Sequence, residues 1–301
     1  MCFYKEEKIC IVEYEKSVSE KKAPFWLASH AKINLFLDVL EKMENGYHRI
    51  STMFSEISLH DTIKFSLTKY HDIKLLSDID ELKNRDNLIY KVAIFIQNKY
   101  SVRYGAKIEL KKLIPIAAGL GGGSSNAATT IRGLNWIWCL NLSKGEMHDI
   151  AQRFGSDINF FLEGYQALGT GRGEIIQPLN IDLAIENILL VNPNIYILSS
   201  EAYELVEFSQ PNPNLNDLLD SQDPKYCFNK LEAGILKKYP ILSEIFSFLY
   251  AKGAKKVILS GSGSTIIGFF GDPRKCESAQ DQMKKNGFWT YITLTRRRQN
   301  K

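Results

Sequence analysis

The stretch Pro115-Ile116-Ala117-Ala118-Gly119-Leu120-Gly121-Gly122-Gly123-Ser124-Ser125-Asn126-Ala127-Ala128 decides how this chain is read. Three successive glycines and two serines lead into an apolar-faced segment, 126–140, whose spacing predicts a helix. A glycine run of this kind is costly in backbone entropy for an ordinary loop. It suits an anion. Without Cβ atoms the backbone N–H groups can approach phosphate oxygens, and the helix N-terminus adds partial positive charge. A glycine turn that serves only helix packing is the plainer alternative. Better-known glycine signatures fail here on spacing. A P-loop needs a lysine before Ser124, the dinucleotide fingerprint needs glycine where Ser124 stands, and the hydrolase elbow needs glycine where Asn126 stands. A kinase loop of the type that joins two strands does not enter a helix.

On the N-terminal side of the glycine stretch, branched and alternating residues predict strands at 31–39, 52–59, 62–67 and 106–110, with a turn at Asn45-Gly46. Residues 87–100 carry apolar side chains at helical spacing. Ser143 and Glu146 have the form of a capping box and predict a helix running to about residue 154. A glycine-dense loop at 169–174 lies between predicted strands. Further on, strands are expected at 186–192, 256–259, 265–270 and 289–293, and helices at 229–237, 242–251 and 275–286. Residues 210–224 are dense in Pro, Asn and Asp and read as a surface loop. The basic end, Arg296-Arg297-Arg298, reads as a solvated tail. Strands and helices mix in both halves, with a boundary near residue 181, which predicts an α+β enzyme of two domains.

Bulk properties narrow the function classes. The 301 residues are long enough for a large core without disulfides or a structural metal. With 38 basic and 34 acidic side chains the net charge is +4, too balanced to indicate nucleic-acid binding. The five cysteines, Cys2, Cys10, Cys139, Cys227 and Cys276, are scattered and form no C-x-x-C, which fits a reducing cytoplasm rather than a disulfide framework. No apolar run has the length of a membrane span. Residues 1–25 mix both charges and read as an extension rather than a targeting segment.

Several side chains stand out singly. Lys32 interrupts an apolar strand and is either snorkelling at its end or held for use. Asp157, between Ser156 and an apolar run, reads as a helix N-cap or as a partly buried catalytic acid. Lys112 could reach a phosphate or merely end a strand. Tyr47 and His48 on the Asn45-Gly46 turn offer either a hairpin tip or a ligand platform. Phe54 and Tyr203 default to core packing. Ser260-Gly261-Ser262-Gly263-Ser264 reads as a tight hairpin, or as a second loop closing on the same triphosphate.

Taken in order, Ala31-Lys32-Ile33-Asn34-Leu35, Gly46-Tyr47-His48, the glycine stretch with its preceding Pro115, Gly155-Ser156-Asp157 and the 260–264 loop resemble the GHMP kinase superfamily. The resemblance covers roughly residues 27–295. It implies a ribosomal-protein-S5-like N-terminal domain at 26–181 and a ferredoxin-like C-terminal domain at 182–301, with the extension 1–25 outside both. It also implies ATP, with Mg2+ as the ATP complex, and a small-molecule substrate bearing a cytidine diphosphate group. No nucleic-acid or membrane partner is implied, and the expected state is a monomer or weak homodimer in the cytoplasm. By the same resemblance Asp157 is the catalytic acid group and Lys32 its cationic partner. Pro115, Ile116, Ala117, Ala118, Gly119, Leu120, Gly121, Gly122, Gly123, Ser124 and Ser125 cradle the triphosphate, with Lys112, Asn87 and Asn126 around the nucleotide. Asn34, Tyr47, His48, Phe54 and Tyr203 contact the substrate. Asn126 and Asn45 stand where the family often has Asp, and no side chain is assigned to the metal. A kinase for another small alcohol and a silent nucleotide-binding regulator are the competing readings.

Overall fold

The computed structural model describes residues 23–181, 183–208 and 213–298. Cys2, Cys10 and nearly all of the extension 1–25 lie outside the described residues. The chain divides into two compact units. One holds the residues up to Ser29 with Asp61–Lys112 and Gly123–Ile158, and the other His30–His60, Leu113–Gly122 and the residues from Asn159 onward.

Two long strands, β1 (Phe25–Lys42) and β2 (His48–Thr68), run from one unit into the other. β2 is a single strand where the sequence predicts two. Its buried positions Ile57, Leu59, Asp61, Ile63 and Phe65 keep the alternation of a strand, so the polar pair His60-Asp61 does not interrupt it.

In the first unit, β3 (Ile73–Ser77) pairs parallel to β4 (Gly105–Lys111), and β4 pairs antiparallel to β2 from Thr62↔Lys111 to Thr68↔Gly105. Three helices belong here: α1 (Leu88–Lys99), α2 (Gly122–Ile137, entering from Gly122) and α3 (Lys144–Gln152). The Asn87 side chain caps α1 by accepting from the Ile89 N–H at 2.9 Å. The capping box of α3 forms as predicted: the Glu146 N–H donates to Ser143 Oγ, and the Ser143 N–H donates to the Glu146 carboxylate at 2.9 Å. α2 buries Ala127, Ala128, Ile131 and Leu134. Gly133 permits its close approach to β2, because a Cβ there would lie 2.5 Å from the Phe65 ring.

The second unit holds α4 (Ile158–Glu163), β5 (Gln166–Thr170), β6 (Ile175–Pro178), β7 (Ile188–Asn192), α5 (Ser199–Glu204), α6 (Leu215–Ser221), β8 (Phe228–Asn229), α7 (Glu232–Lys238), α8 (Pro240–Ala251), β9 (Ala254–Leu259), β10 (Ile266–Phe270), α9 (Pro273–Lys285) and β11 (Trp289–Thr293). β5 pairs with β2 and β6, and β1 lies between β2 and β8. A separate four-stranded antiparallel sheet has the order β11-β7-β10-β9, the ferredoxin-like arrangement that the β-α-β-β-α-β chain order produces. Both faces of its β7 are buried, which explains the unbroken apolar run. Leu189 and Val191 pack with helix residues such as Leu242, Ile245 and Ala279, while Ile188 and Leu190 pack with Ile33, Leu35 and Ile57 of β1 and β2.

Two local readings are corrected. The 210–224 stretch is not all loop: residues 210–212 lie outside the described residues, but Asn214 caps α6 by accepting from the Asn216 N–H at 3.0 Å. A cluster of Asn and Asp marks a helix start as well as a turn, and buried Leu218 supplies the packing face. Arg296 is not a solvated tail. Its guanidinium pairs with Glu56 at 2.6 Å and lies 4.9 Å over the Tyr165 ring, while its N–H donates to the Glu56 carbonyl. Among the described residues no helix is long and apolar enough to cross a membrane.

Candidate active site

The glycine stretch forms two structures. Residues 115–121 are an irregular loop with Ala117, Gly119 and Gly121 at positive φ, and the helix begins at Gly122 rather than after the serines. The glycines therefore supply the first turn of α2, whose N–H groups have no intrahelical acceptor and are free of side-chain bulk around Gly122 and Gly123.

Gly119 is where the loop is most tightly seated. A Cβ there would stand 2.1 Å from the Ser260 carbonyl oxygen, and Ser260 Oγ donates to the Gly119 carbonyl at 3.1 Å. The two small-residue loops picked out in the sequence are thus in direct contact. The second is held from behind by Asn229, whose amide donates to the Leu259 and Gly261 carbonyls at 2.7 and 2.8 Å.

Lys32 lies beneath the first loop. Its N–H donates to the Leu120 carbonyl at 3.0 Å, and its side chain is 5 % exposed. The ammonium donates to Asn34 Oδ1 at 2.7 Å, Asn34 Nδ2 donates to Thr52 Oγ1 at 2.7 Å, and the Thr52 hydroxyl donates to the Phe36 carbonyl at 2.6 Å. This relay orients the ammonium from a rigid pair of strands. A Cβ on Gly261 would lie 3.5 Å from Lys32 Nζ and 3.4 Å from the Gly119 carbonyl, so the lysine, Asn34 and both loops share one locale. Phe54 belongs to it as well: its buried ring lies 5.3 Å below the Lys32 ammonium and packs on Phe160 at 4.9 Å. Phe54 does not line the cavity that holds Tyr47, His48 and Tyr203.

In the other unit, Asn126 and Lys112 meet in a buried polar network. Asn126 Nδ2 donates to Ser29 Oγ and to Asp61 Oδ2, each at 2.9 Å, and the Lys112 ammonium donates to the same Asp61 oxygen at 2.7 Å. Ser125 and Ser29 share a hydroxyl bond of 2.8 Å. Burial pushes the Lys112 ammonium below the usual lysine range, against the opposing charges of Asp61 and Asp78. Both ends of the Asn87 amide are engaged locally, the oxygen in the α1 cap and Nδ2 with the Leu82 carbonyl at 2.8 Å. Asp157 is half-buried at the residue before α4.

A cavity of about 480 Å³ is lined by Tyr47, His48 and Tyr203, together with Lys42, Arg172 and Ser199 among others. The His48 imidazole stacks on Tyr203 at 5.2 Å with 17° between the planes. Burial and the Lys42 charge push His48 below the usual imidazole range, so the ring is neutral near pH 7. The Arg172 guanidinium lies 4.8 Å over the Tyr47 ring. The turn beneath is set by Gly46 at φ +82° and by the Asn45 side chain, which accepts from the Tyr47 N–H at 3.1 Å.

Sequence reasoning missed Asp61, Ser29, Asn229, Arg172 and Lys42. Asp61 was discoverable, since it stands in alternation with Leu59 and Ile63. Asn229 and Arg172 carry no local pattern that marks them.

Glu232 backs the second loop, accepting the Leu259 N–H at 3.1 Å, and burial pushes its carboxyl to about 7. The folded chain holds this proton more tightly than the unfolded chain does. The Glu232 contribution to stability is therefore fully present below the ordinary value of 4.5 and is lost as pH rises to about 7. Glu232→Gln keeps an acceptor without the charge. It is expected to raise stability by ~2 kcal/mol at pH 8 and to change it little at pH 5, read as melting temperatures at the two pH values.

Comparison with known proteins agrees in both halves of the chain. A family model described as "GHMP kinases N terminal domain" matches residues 87–165, and one described as "GHMP kinases C terminal" matches residues 202–288. A 4-diphosphocytidyl-2-C-methyl-D-erythritol kinase of Thermodesulfovibrio yellowstonii is 37 % identical over 278 residues, 88 % of this chain and 95 % of that protein. One from Thermoanaerobacter pseudethanolicus is 38 % identical over 277 residues, 89 % and 94 % of the two chains. A crystal structure of 4-(cytidine 5'-diphospho)-2C-methyl-D-erythritol kinase superposes with a TM-score of 0.78 at 28 % identity, covering 90 % of this chain and all of that one. The α+β fold expected from the sequence is the one found.

Proposed function

Because the chain belongs to the 4-diphosphocytidyl-2-C-methyl-D-erythritol kinase family of GHMP kinases, we propose that it moves the γ-phosphoryl of ATP to the 2-hydroxyl of 4-diphosphocytidyl-2-C-methyl-D-erythritol. ADP and the 2-phosphate are the products, as a cytoplasmic step of the non-mevalonate route to isoprenoid precursors. The observation that carries the substrate assignment is the cavity of Tyr47, His48 and Tyr203. An aliphatic alcohol needs no such group. A pyrimidine does: Tyr47 offers a ring face for stacking, and His48, with its own face against Tyr203, presents its edge to the base.

In this reading residues 115–125 receive the triphosphate, through backbone N–H groups and the first turn of α2. Lys112, Asn126 and Asn87 surround the nucleotide. Magnesium enters as the ATP complex, held by phosphate oxygens and water, with no protein side chain assigned to it. Asp157 takes the proton of the attacking hydroxyl. Lys32, aimed by Asn34 and Thr52, stabilises charge on the reacting oxygens, and Asn34 touches the acceptor hydroxyl. Phe54 contributes from beneath Lys32. Phosphoryl transfer draws most of its acceleration from such alignment and charge stabilisation. The domain bounds 26–181 and 182–301, and a monomeric or weakly dimeric state, belong to the same reading.

Two results test it. Phosphorus NMR of the product should show a phosphomonoester on the 2-hydroxyl with the diphosphate bridge intact; a product phosphorylated elsewhere contradicts it. His48→Ala should raise the substrate KM about ten-fold, as expected for loss of a base contact, and lower kcat by less, because the base is remote from the reacting atoms. A loss confined to kcat would remove His48 from the base site.

A further inference from the structure

Asn229 closes β8, is 3 % exposed, and uses both ends of its amide on backbone. Its Nδ2 donates to the Leu259 carbonyl at 2.7 Å and to the Gly261 carbonyl at 2.8 Å, while Oδ1 accepts the Leu231 N–H at 3.0 Å. The two carbonyls flank Ser260, whose hydroxyl donates to the Gly119 carbonyl. A short side chain that offers two N–H donors and an acceptor is an asparagine amide. β8 is in turn registered on β1, the strand that carries Lys32 and Asn34. Leu37 pairs with Asn229, and the Lys230 N–H donates to the Leu37 carbonyl at 2.8 Å. The strand that aims the Lys32 ammonium and the loop beside it are thus both fixed at Asn229. Gly261 is where the two meet. Its φ is +55°, and a Cβ there would lie 3.3 Å from Asn34 Oδ1 and 3.5 Å from Lys32 Nζ. The Gly261 backbone therefore walls one side of the ammonium, and its carbonyl is held by Asn229.

Resting on the role given to Lys32 above, we infer that Asn229 is a positioning residue for phosphoryl transfer: by fixing the Gly261 peptide it sets the space beside the Lys32 ammonium where the reacting oxygens lie. Buried behind the loop, it acts through Gly261 and Lys32 rather than by contact with substrate. A misplacement of ~1 Å near the chemistry can cost about 10²-fold in rate, so a small relaxation of this loop is read in kcat. An asparagine that only tied β8 to β9 would be read in stability alone.

The test is a double-mutant cycle between Asn229 and Lys32, read as ADP release at saturating ATP and well below each variant's melting temperature. Asn229→Leu keeps the branched shape and removes the hydrogen bonds. It should lower kcat about 10–100-fold and leave the substrate KM within about three-fold. In a Lys32→Ala background, under single-turnover conditions, Asn229→Leu should cost less than about three-fold more, because its effect passes through the ammonium. Gly261→Ala is the milder variant, crowding Asn34 and Lys32 without touching Asn229. It should lower kcat in the same direction and lose its effect in the same background. If Asn229→Leu does not fold, Gly261→Ala decides by the same comparison. A lowered melting temperature with kcat within about three-fold of wild type would leave Asn229 a fold anchor and overturn the inference. So would an equal loss of kcat with and without Lys32. Lys32→Ala turning over like the wild type would instead remove Lys32 from the chemistry, and the inference would fall with that assignment.

Discussion

Asp157→Asn is expected to lower kcat by ~10²–10⁴-fold, the range for loss of a positioned general base, while ATP affinity stays within several-fold. The amide keeps the size and half-buried position of the carboxylate before α4 but cannot take a proton. A silent nucleotide-binding regulator would need the glycine loop and not this residue, so the experiment also separates that reading from a kinase. Rapid-quench kinetics and fluorescence titration with an ATP analogue read the two quantities independently. Turnover unchanged in the variant would remove Asp157 from the chemistry while leaving family membership untouched.

Gly119→Ala is expected to damage both the fold and ATP binding. The new Cβ would stand 2.1 Å from the Ser260 carbonyl, at a residue whose φ is +75°. The backbone penalty alone is ~1–3 kcal/mol, and relief of the clash requires the two loops to separate. Stability should fall by at least ~2 kcal/mol, and ATP affinity should fall with it, because the loop would no longer present its N–H groups together. Gly145→Ala is the control. It lies in α3, where an added methyl would meet nothing within 4 Å, so the change should be neutral or gain up to ~1 kcal/mol. If Gly119→Ala melted and bound ATP like the wild type, the close seating of the two loops would be wrong.

Much of this was legible from the residues. The glycine stretch, the Ser143 capping box and the strand at 186–192 follow from local chemistry that the tertiary structure reinforces. β2 was harder: Asp61 keeps the alternation of Leu59 and Ile63, which marks it as inward-facing, but the polar pair His60-Asp61 still reads as a break because the partners that satisfy Asp61 are distant. Those partners, Lys112 and Asn126, are 51 and 65 residues away, and no local window contains them. The helix start at Gly122 was obscured for a different reason: glycine lowers helix propensity, yet the first turn is where an anion cradle needs it. Arg172, Lys42 and Asn229 were invisible because their meaning comes from the cavity and loop they face, not from their neighbours in the chain. Arg296 looked like part of a basic tail until Glu56 and Tyr165 were found against it.

The chain is a kinase for a cytidyl alcohol rather than for a small aliphatic acid. A coupled assay of ADP release, run with 4-diphosphocytidyl-2-C-methyl-D-erythritol, mevalonate and homoserine in parallel, tests it most directly. Saturable, ATP-dependent turnover is expected with the cytidyl substrate, with kcat/KM lower by orders of magnitude for the other two. Turnover of mevalonate or homoserine with none on the cytidyl compound would contradict it.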